Sequence, residues 1–345
     1  MKNFCVLPWY SKETFKNTVT PCCLLEKSHD IESVKRDLLA GIPASACQKC
    51  WKLEKEGVKS RRQQENEFLD YKLDRDIEKI KKDCESGNNS TILYQITTSN
   101  LCNQACVSCH SEFSTKWAEI EKRQGLEPRK FWQIDINDHG INFARARRIS
   151  LLGGEPLYDS KTFDILEKLI ENNNTDCFVT FVTNGSVDIN DRQREILSKF
   201  SDLNICVSID GIDKRFEYMR WPGRWDRLCH NLDVFRGLSK TLSVSYTISS
   251  LNALYYQETV DWFQTQRLEF NHNIVSWPEW LALENAPVEL KKEFTKIDFF
   301  KRYTDDQASG DLAAYKEKIR SQDRAKKINL TDYMPEVARI IGYTL

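Results

Sequence analysis

Apolar positions recur along this chain in two alternating rhythms. Short runs of strand-forming residues occupy 94–98, 148–152, 178–183, 204–209, 242–248 and 272–275. Between them, apolar residues return at helical spacing over 161–171 (Phe163, Ile165, Leu166, Leu169 and Ile170), 191–199, 225–238 and 255–266. Strand–helix repeats of this kind predict an α/β fold in which a parallel sheet is wound by right-handed crossovers. Upstream, 70–86 is strongly charged and carries Tyr71, Leu73, Ile77 and Ile80 at roughly helical spacing, which predicts an amphipathic helix joining two domains. Gly87-Asn88-Asn89-Ser90 then breaks the chain before the sheet begins. The final stretch, 287–345, is charged and helix-rich, shows no motif, and is expected to cover an open flank of the sheet.

With 345 residues the chain has room for two domains, or for one barrel with an appendage. Fifty basic residues against fifty-one acidic ones give no push toward nucleic acid or an anionic membrane. No apolar run approaches the ~20 residues that span a bilayer, and the N-terminus lacks the apolar core of a signal peptide, so a cytoplasmic location is expected. In a reducing compartment, twelve cysteines point to metal binding before disulfides. Cys177 and Cys206 sit in apolar strand-like runs and read as small core residues.

Cys84 and Cys229 are scattered as well, and the other eight cysteines are clustered. Cys102-x3-Cys106-x2-Cys109 falls in a loop between the first strand and a helix expected over 111–123. Three thiolates can hold three irons of a [4Fe-4S] cluster and leave the fourth iron open to a small molecule. The triplet lacks the paired spacing of common zinc modules, but taken alone it leaves zinc and unligated thiols open. About fifty residues later the strand over 148–152 runs into Gly153-Gly154-Glu155-Pro156. Glycines there allow a close backbone approach and a carboxylate can accept from an ammonium group, although by composition alone the segment is a turn.

Taken together, the two motifs resemble the radical S-adenosylmethionine (radical SAM) superfamily. That resemblance implies a partial (β/α)6 TIM-like barrel, with six as the strand number. It also implies that the methionyl amine and carboxylate of S-adenosylmethionine chelate the open iron of a [4Fe-4S] cluster on Cys102, Cys106 and Cys109, with Gly153, Gly154 and Glu155 meeting the amino group. Thr183-Asn184-Gly185 and Ser208-Ile209-Asp210-Gly211 resemble family positions that touch the cofactor's ribose and carboxylate, which nominates Asn184 and Ser208. Arg220, in the run over 217–225, resembles an arginine that helps hold the methionyl carboxylate. Read without the family, Thr-Asn-Gly is a turn and Arg220 pairs with Glu217 on a helix. Ser108 stands where the family usually has an aromatic residue, a change that alters packing near the adenine and removes no iron ligand.

A second group crowds the N-terminus: Cys5, Cys22, Cys23, Cys47 and Cys50. The Cys47-x2-Cys50 pair with two distant partners can enclose a metal and staple a segment too short for its own core, with zinc and iron both open on spacing. The arrangement resembles the twitch domain, a shortened relative of the SPASM extension, and so implies an auxiliary [4Fe-4S] cluster. Asn17 replaces the usual glycine five residues before the second ligand, which selects Cys22 over Cys23, so the implied ligands are Cys5, Cys22, Cys47 and Cys50. Arg61 and Arg62 read as a solvated charged face, or, by resemblance, as groups reaching substrate. The expected organisation is a twitch-like domain over 1–68, a linker helix over 69–90, the barrel over 91–286 and C-terminal helices over 287–345.

The activity implied is reductive cleavage of S-adenosylmethionine to a 5'-deoxyadenosyl radical that abstracts hydrogen from a substrate carbon, with the auxiliary cluster taking up the electron released afterwards. By family habit the substrate is a peptide or protein side chain, with a sugar, aminocyclitol or nucleotide as the alternative. A one-electron reductant such as flavodoxin or ferredoxin is the implied partner. Trp277 and Trp280, beside Pro278, either line a substrate mouth or pack in a core. No residue is nominated as acid, base or hydrogen donor. The competing readings are a zinc-stabilised binding protein without catalysis and an iron-sulfur protein that only transfers electrons.

Overall fold

A mostly parallel sheet organises the computed structural model, which describes residues 3–25, 30–55, 57, 59–72, 74, 76–303 and 310–345. The eight strands are β1 (Ser11–Phe15), β2 (Thr18–Thr20), β3 (Leu93–Thr97), β4 (Arg148–Leu152), β5 (Phe178–Thr183), β6 (Leu203–Ser208), β7 (Thr241–Ile248) and β8 (Glu269–Ile274). The fold is α/β. Strands β3 to β8 match the six predicted apolar runs, shifted at most by a few residues. By contacts the chain divides into two compact units: Met1–Thr97, Ile134–Ser150 and Lys168–Phe178 form the first, and Thr98–Gln133, Leu151–Glu167 and Val179–Leu345 the second.

In the first unit the strand order is β2-β1-β3-β4. Strand β1 turns back antiparallel onto β2, with Phe15 opposite Thr18, and runs parallel to β3, with Ser11 opposite Leu93. Ser-Lys-Glu-Thr-Phe carries too few apolar residues to announce a strand, so this edge of the sheet was not legible from periodicity. Phe4, Val6, Leu7, Tyr10, Leu38 and Leu69 are among the residues that close the unit's core. The helix predicted over 70–86 is shorter. A π-helical turn spans Phe68–Lys72, and an α-helix runs Ile77–Glu85 once the Asp76 side chain accepts from the Glu78 N–H. Ile80 and Cys84 turn into the core; Leu73 lies outside the described residues.

In the second unit the order is β4-β5-β6-β7-β8, and the registers β5/β6, β6/β7 and β7/β8 are parallel. Helices Ser160–Glu171, Asp191–Leu197, Asp213–Met219, Trp225–Leu238 and Tyr256–Thr265 fill the crossovers. Because strand order follows chain order without reversal, right-handed crossovers fall on one face of the sheet, as in an incomplete (β/α) barrel. The two faces differ as alternation requires. Val179, Phe181, Ile205, Val207, Val244, Tyr246 and Ile248 are fully buried on one side, while Thr180, Asn204, Cys206, Ser208, Ser243, Ser245 and Thr247 take the other. Cys206 therefore belongs to a polar face rather than to the core expected for it. Cys177 is fully buried, as expected.

Helices Val288–Phe294, Leu312–Lys326, Leu330–Tyr333 and Pro335–Ile340 complete the second unit. The longest, Leu312–Lys326, is capped by the Asp311 side chain on the Ala314 N–H. Buried Asp323 ties it down, accepting from the Tyr218 hydroxyl (2.8 Å), the Tyr343 hydroxyl (2.7 Å) and the Leu330 N–H (2.8 Å).

Candidate active site

The C-terminal ends of β4, β5 and β6 and the loop that follows β3 meet in the second unit, and the triplet sits on that loop. Thr98 N–H donates to Leu152 O, Gly154 N–H to Ser99 O and Glu155 N–H to Leu101 O, so Gly153-Gly154-Glu155 is zipped onto the approach to Cys102. A Cβ on Gly154 would overlap the Leu101 carbonyl and stand 2.8 Å from the Cys102 Cβ; one on Gly153 would lie 3.0 Å from Thr98 Oγ1. The glycine pair is thus required by the closeness of the cysteine loop.

Both flanks hold that loop. On one, Thr115 Oγ1 exchanges hydrogen bonds with the Cys102 backbone, Ser114 donates to Gln104 O at 2.5 Å, and Trp117 Nε1 donates to Cys106 O at 2.8 Å. On the other, Ala105 N–H donates to Trp221 O and Val107 N–H to Met219 O. The three thiols come close enough to influence one another. Burial raises all three: Cys102 well above the ordinary thiol, Cys109 to about 12, and Cys106 too, where Arg220 and Lys326 work against the rise. An apo site of protonated thiols exchanges protons for metal on loading. Among the described residues no three Cys, His, Asp or Glu side chains are grouped closely enough to ligate a single metal ion; the three thiols on one loop, with a tight glycine cradle beside it, supply the donor types that a site-differentiated [4Fe-4S] cluster uses.

Glu155 is fully buried, and its carboxylate is bonded within the protein. It accepts from Thr183 Oγ1 and Asn184 N–H at 2.6 Å each and from Leu157 N–H at 3.0 Å, so it clamps the end of β5 to the glycine turn. Asn184 in turn donates from Nδ2 to Asn103 Oδ1 at 2.8 Å and lies 4.0 Å from Cys102 Sγ. Burial pushes the Glu155 carboxyl up to about 7, against the pull of Thr183, Asn184 and Leu157. Between its ordinary value of 4.5 and about 7 the native state binds more protons than the unfolded one. Stability of the metal-free protein is therefore expected to fall as pH rises through that window and to level off above it. Glu155→Gln should flatten this slope and, by presenting an amide donor to donors, cost about 1–3 kcal/mol. Thermal melts near pH ~5 and pH ~8 check both effects.

Arg220 does not pair with Glu217. Its Nε and Nη2 make a two-pronged ion pair with Asp210 (2.9 and 3.0 Å), and its Nη1 lies 3.9 Å from Cys106 Sγ. Asp210 is held by the Thr247 N–H. Glu217 accepts from the Trp225 N–H instead. Ser208 ends β6 on the polar face, in register with Ser245 of β7, which is in register with Asn271 of β8. Trp277 is exposed, and its ring meets that of His110, the residue after Cys109, at 4.5 Å between centroids; Trp280 packs edge-on against Tyr315.

Sequence reading missed two groups near the thiols. Asp210 lay in a motif already singled out, where a strand-end carboxylate ten residues before an arginine was the available signal. Lys326, buried and carried by the Leu312–Lys326 helix, had no signal in a segment where every second or third residue is charged.

The first unit holds the other cysteines. Cys5, Cys22, Cys47 and Cys50 all line one cavity of about 480 Å³, its open mouth included, with Leu7, Pro21 and Arg62 among its other walls. Cys23 is not among them. Its Sγ lies 2.7 Å from Arg61 Nη1, and Arg61 also pairs with Glu13 and reaches Gln95 Oε1 at 3.1 Å. The hydrogen bond with Cys22, then Arg61, draws the Cys23 thiol down. Burial raises Cys5, and Cys47 to about 11. Four thiols lining one apolar cavity are the donor type that a closed cluster uses. Arg61 and Arg62 are not a solvated face. Arg62 is buried, grips Glu54 (2.7 Å) and Phe4 O (2.7 Å) and lies over the Trp51 ring.

Residues 96–263 match the family model described as the Radical SAM superfamily. No curated protein matches the chain. Among solved structures, the chain is similar to native anSMEcpe with bound AdoMet (16% identity, 60% of this chain and 60% of that one, TM-score 0.42). It is also similar to Streptococcus suis SuiB bound to precursor peptide SuiA (14% identity, 82% of this chain and 66% of that one, TM-score 0.40). The chain thus spans about 60% and 66% of the length of these two proteins.

Proposed function

We propose that this chain, with its Radical SAM superfamily domain over 96–263, is an enzyme that binds a [4Fe-4S] cluster on Cys102, Cys106 and Cys109 and reductively cleaves S-adenosylmethionine beside it. The observation that supports this reading is the zipping of Gly153 and Gly154 onto the loop that carries the three thiols. When bound, the cluster supplies the electron that splits the sulfonium and yields a 5'-deoxyadenosyl radical able to take hydrogen from an unactivated carbon. The protein's part is placement. Gly153 and Gly154 leave backbone room for the methionyl amine. Glu155 fixes Thr183 and Asn184 at the end of β5, and Asn184 and Ser208 offer polar groups to the ribose. Arg220, locked by Asp210, presents Nη1 to Cys106 and gives positive charge to the side where the methionyl carboxylate would lie.

Cys5, Cys22, Cys47 and Cys50 hold an auxiliary [4Fe-4S] cluster in this proposal, as a twitch-like element over 1–68 joined by a linker over 69–90 to the barrel over 91–286 and the C-terminal helices over 287–345. It accepts the electron released when the substrate radical is oxidised. The substrate is a peptide or protein side chain, as the family resemblance suggests, and a flavodoxin or ferredoxin supplies electrons. The alternative, a hydroxyl-rich sugar, aminocyclitol or nucleotide, draws support from the polar tier of Ser208, Ser245 and Asn271. Among the described residues no helix is long and apolar enough to cross a membrane; a cytoplasmic location is proposed from the reducing conditions such clusters need.

Anaerobic reconstitution tests the assignment. About eight irons per chain and 5'-deoxyadenosine formation under a strong reductant are expected. A colourless zinc protein, or an iron protein that leaves S-adenosylmethionine intact, would support the non-catalytic alternatives. Cys47→Ala, Cys50→Ala and Cys22→Ala should each lose the auxiliary irons, leaving about four, while Cys23→Ala keeps about eight. Iron analysis with Mössbauer spectra of the variants decides between the neighbouring cysteines.

A further inference from the structure

Arg220 and Lys326 are buried basic side chains beside the thiols of the second unit, and they are matched differently: burial draws the Lys326 ammonium down to about 7, whereas Arg220 has a carboxylate partner. Arg220 is matched by Asp210. Lys326 is 4% exposed, and among the described residues no carboxylate forms an ion pair with it. Its neighbour Asp323 attracts it but already accepts from two tyrosine hydroxyls and a backbone N–H. Lys326 Nζ donates to Gln322 Oε1 at 2.8 Å, and Gln322 Nε2 donates to Val107 O at 3.0 Å, between Cys106 and Cys109. The ammonium also lies 4.8 Å from the centre of the Trp117 ring, whose Nε1 holds Cys106 O. Cys106 and Cys109 are the sulfurs of the triplet that act on it electrostatically. Burying a cation without a partner is costly, so the position makes physical sense where a net negative centre is to be built next to it.

We propose that Lys326, on a helix outside the segment 96–263, is the counter-charge of the cluster on Cys102, Cys106 and Cys109 and raises its reduction potential. The proposal rests on the cluster reading above. Reduction adds one negative charge to the cluster, and a fixed cation close by stabilises the reduced form more than the oxidised one. Lys326 acts as a positioning residue for charge, tethered through Gln322 to the ligand loop itself; it touches neither substrate nor the sulfonium.

Redox titration of the reconstituted full chain, followed by EPR without S-adenosylmethionine, tests this. In Lys326→Met, which keeps the packing over Trp117, the reduced-to-oxidised ratio of this cluster at fixed potential should fall about tenfold with iron content unchanged. Lys326→Arg should restore it, and the auxiliary cluster's signal should not move. An unshifted midpoint in Lys326→Met, or an equal shift in Lys326→Arg, overturns the proposal. Should Lys326→Met lose iron, Gln322→Leu, which cuts the tether and leaves the ammonium, is expected to shift the midpoint in the same direction, and no shift there overturns it as well. Absence of any cluster on the triplet in the unaltered chain is a different failure, that of the cluster reading itself, and is seen before any variant is made.

Discussion

Changing Cys102, Cys106 and Cys109 together to alanine is expected to abolish 5'-deoxyadenosine formation and to lower bound iron from about eight to about four per chain. The expectation follows from how these side chains are held. Each lies on a loop whose backbone is hydrogen-bonded on two flanks, to the Thr115 and Trp117 side chains of the Thr115–Arg123 helix and to the Met219 and Trp221 carbonyls, so removing the sulfurs should leave the loop standing. The effect is then chemical rather than structural: without thiolates there is no iron to coordinate a ligand or to pass an electron to it. On the proposal above, the four irons expected to remain are those of the Cys5, Cys22, Cys47 and Cys50 cavity of the first unit, whose residues the change does not touch. Iron analysis and product chromatography under anaerobic reduction give the answer. Deoxyadenosine still formed by the triple variant would sink the assignment of the radical site.

Gly154→Ala should be nearly as severe although it removes no functional group. The new methyl would occupy the space of the Leu101 carbonyl and press on the Cys102 Cβ, and backbone on both sides must move to admit it. Overpacking of this kind costs about 1–3 kcal/mol. The functional loss is expected to be larger, about 100-fold in deoxyadenosine formation, because a displacement near 1 Å at a reacting centre is enough for that. The same loop carries the first ligand, so part of the first cluster's iron should be lost as well. Melting temperature, iron content and cleavage rate measured on one preparation separate these contributions. A variant with unchanged cleavage would mean that the glycine turn does not border the bound cofactor.

Strands β3 to β7 could be read from the chain because each is rich in β-branched and apolar residues whose period is set by the pleat, while β8, Glu-Phe-Asn-His-Asn-Ile, was read only over its last residues. Strand β1 could not. Its stability comes from pairing with β3, eighty residues away, and from core residues such as Tyr10 packed beside it, with little local preference of its own. The same division runs through the candidate site. The cysteine triplet and the glycine pair are dense local patterns, and the structure brings them together. Read without the family, Arg220 would pair with Glu217 one helical turn away; it pairs with Asp210 instead, because the residues just after β6 come back beside it and a buried guanidinium demands the fully desolvated carboxylate.

What the sequence by itself determined is therefore the set of possible ligands and the strands that end near them, since spacing along a chain limits which thiols can share a cluster. Tertiary structure decided which groups surround those ligands. It turned Glu155 inward onto β5, drew Cys23 to Arg61 while Cys22 joined the other cavity thiols, and brought Lys326 from the C-terminal helices to Cys106 and Cys109. The reason is that burial and charge pairing act through space: a lysine more than two hundred residues from Cys106 has no local signature of a role that only desolvation and proximity confer.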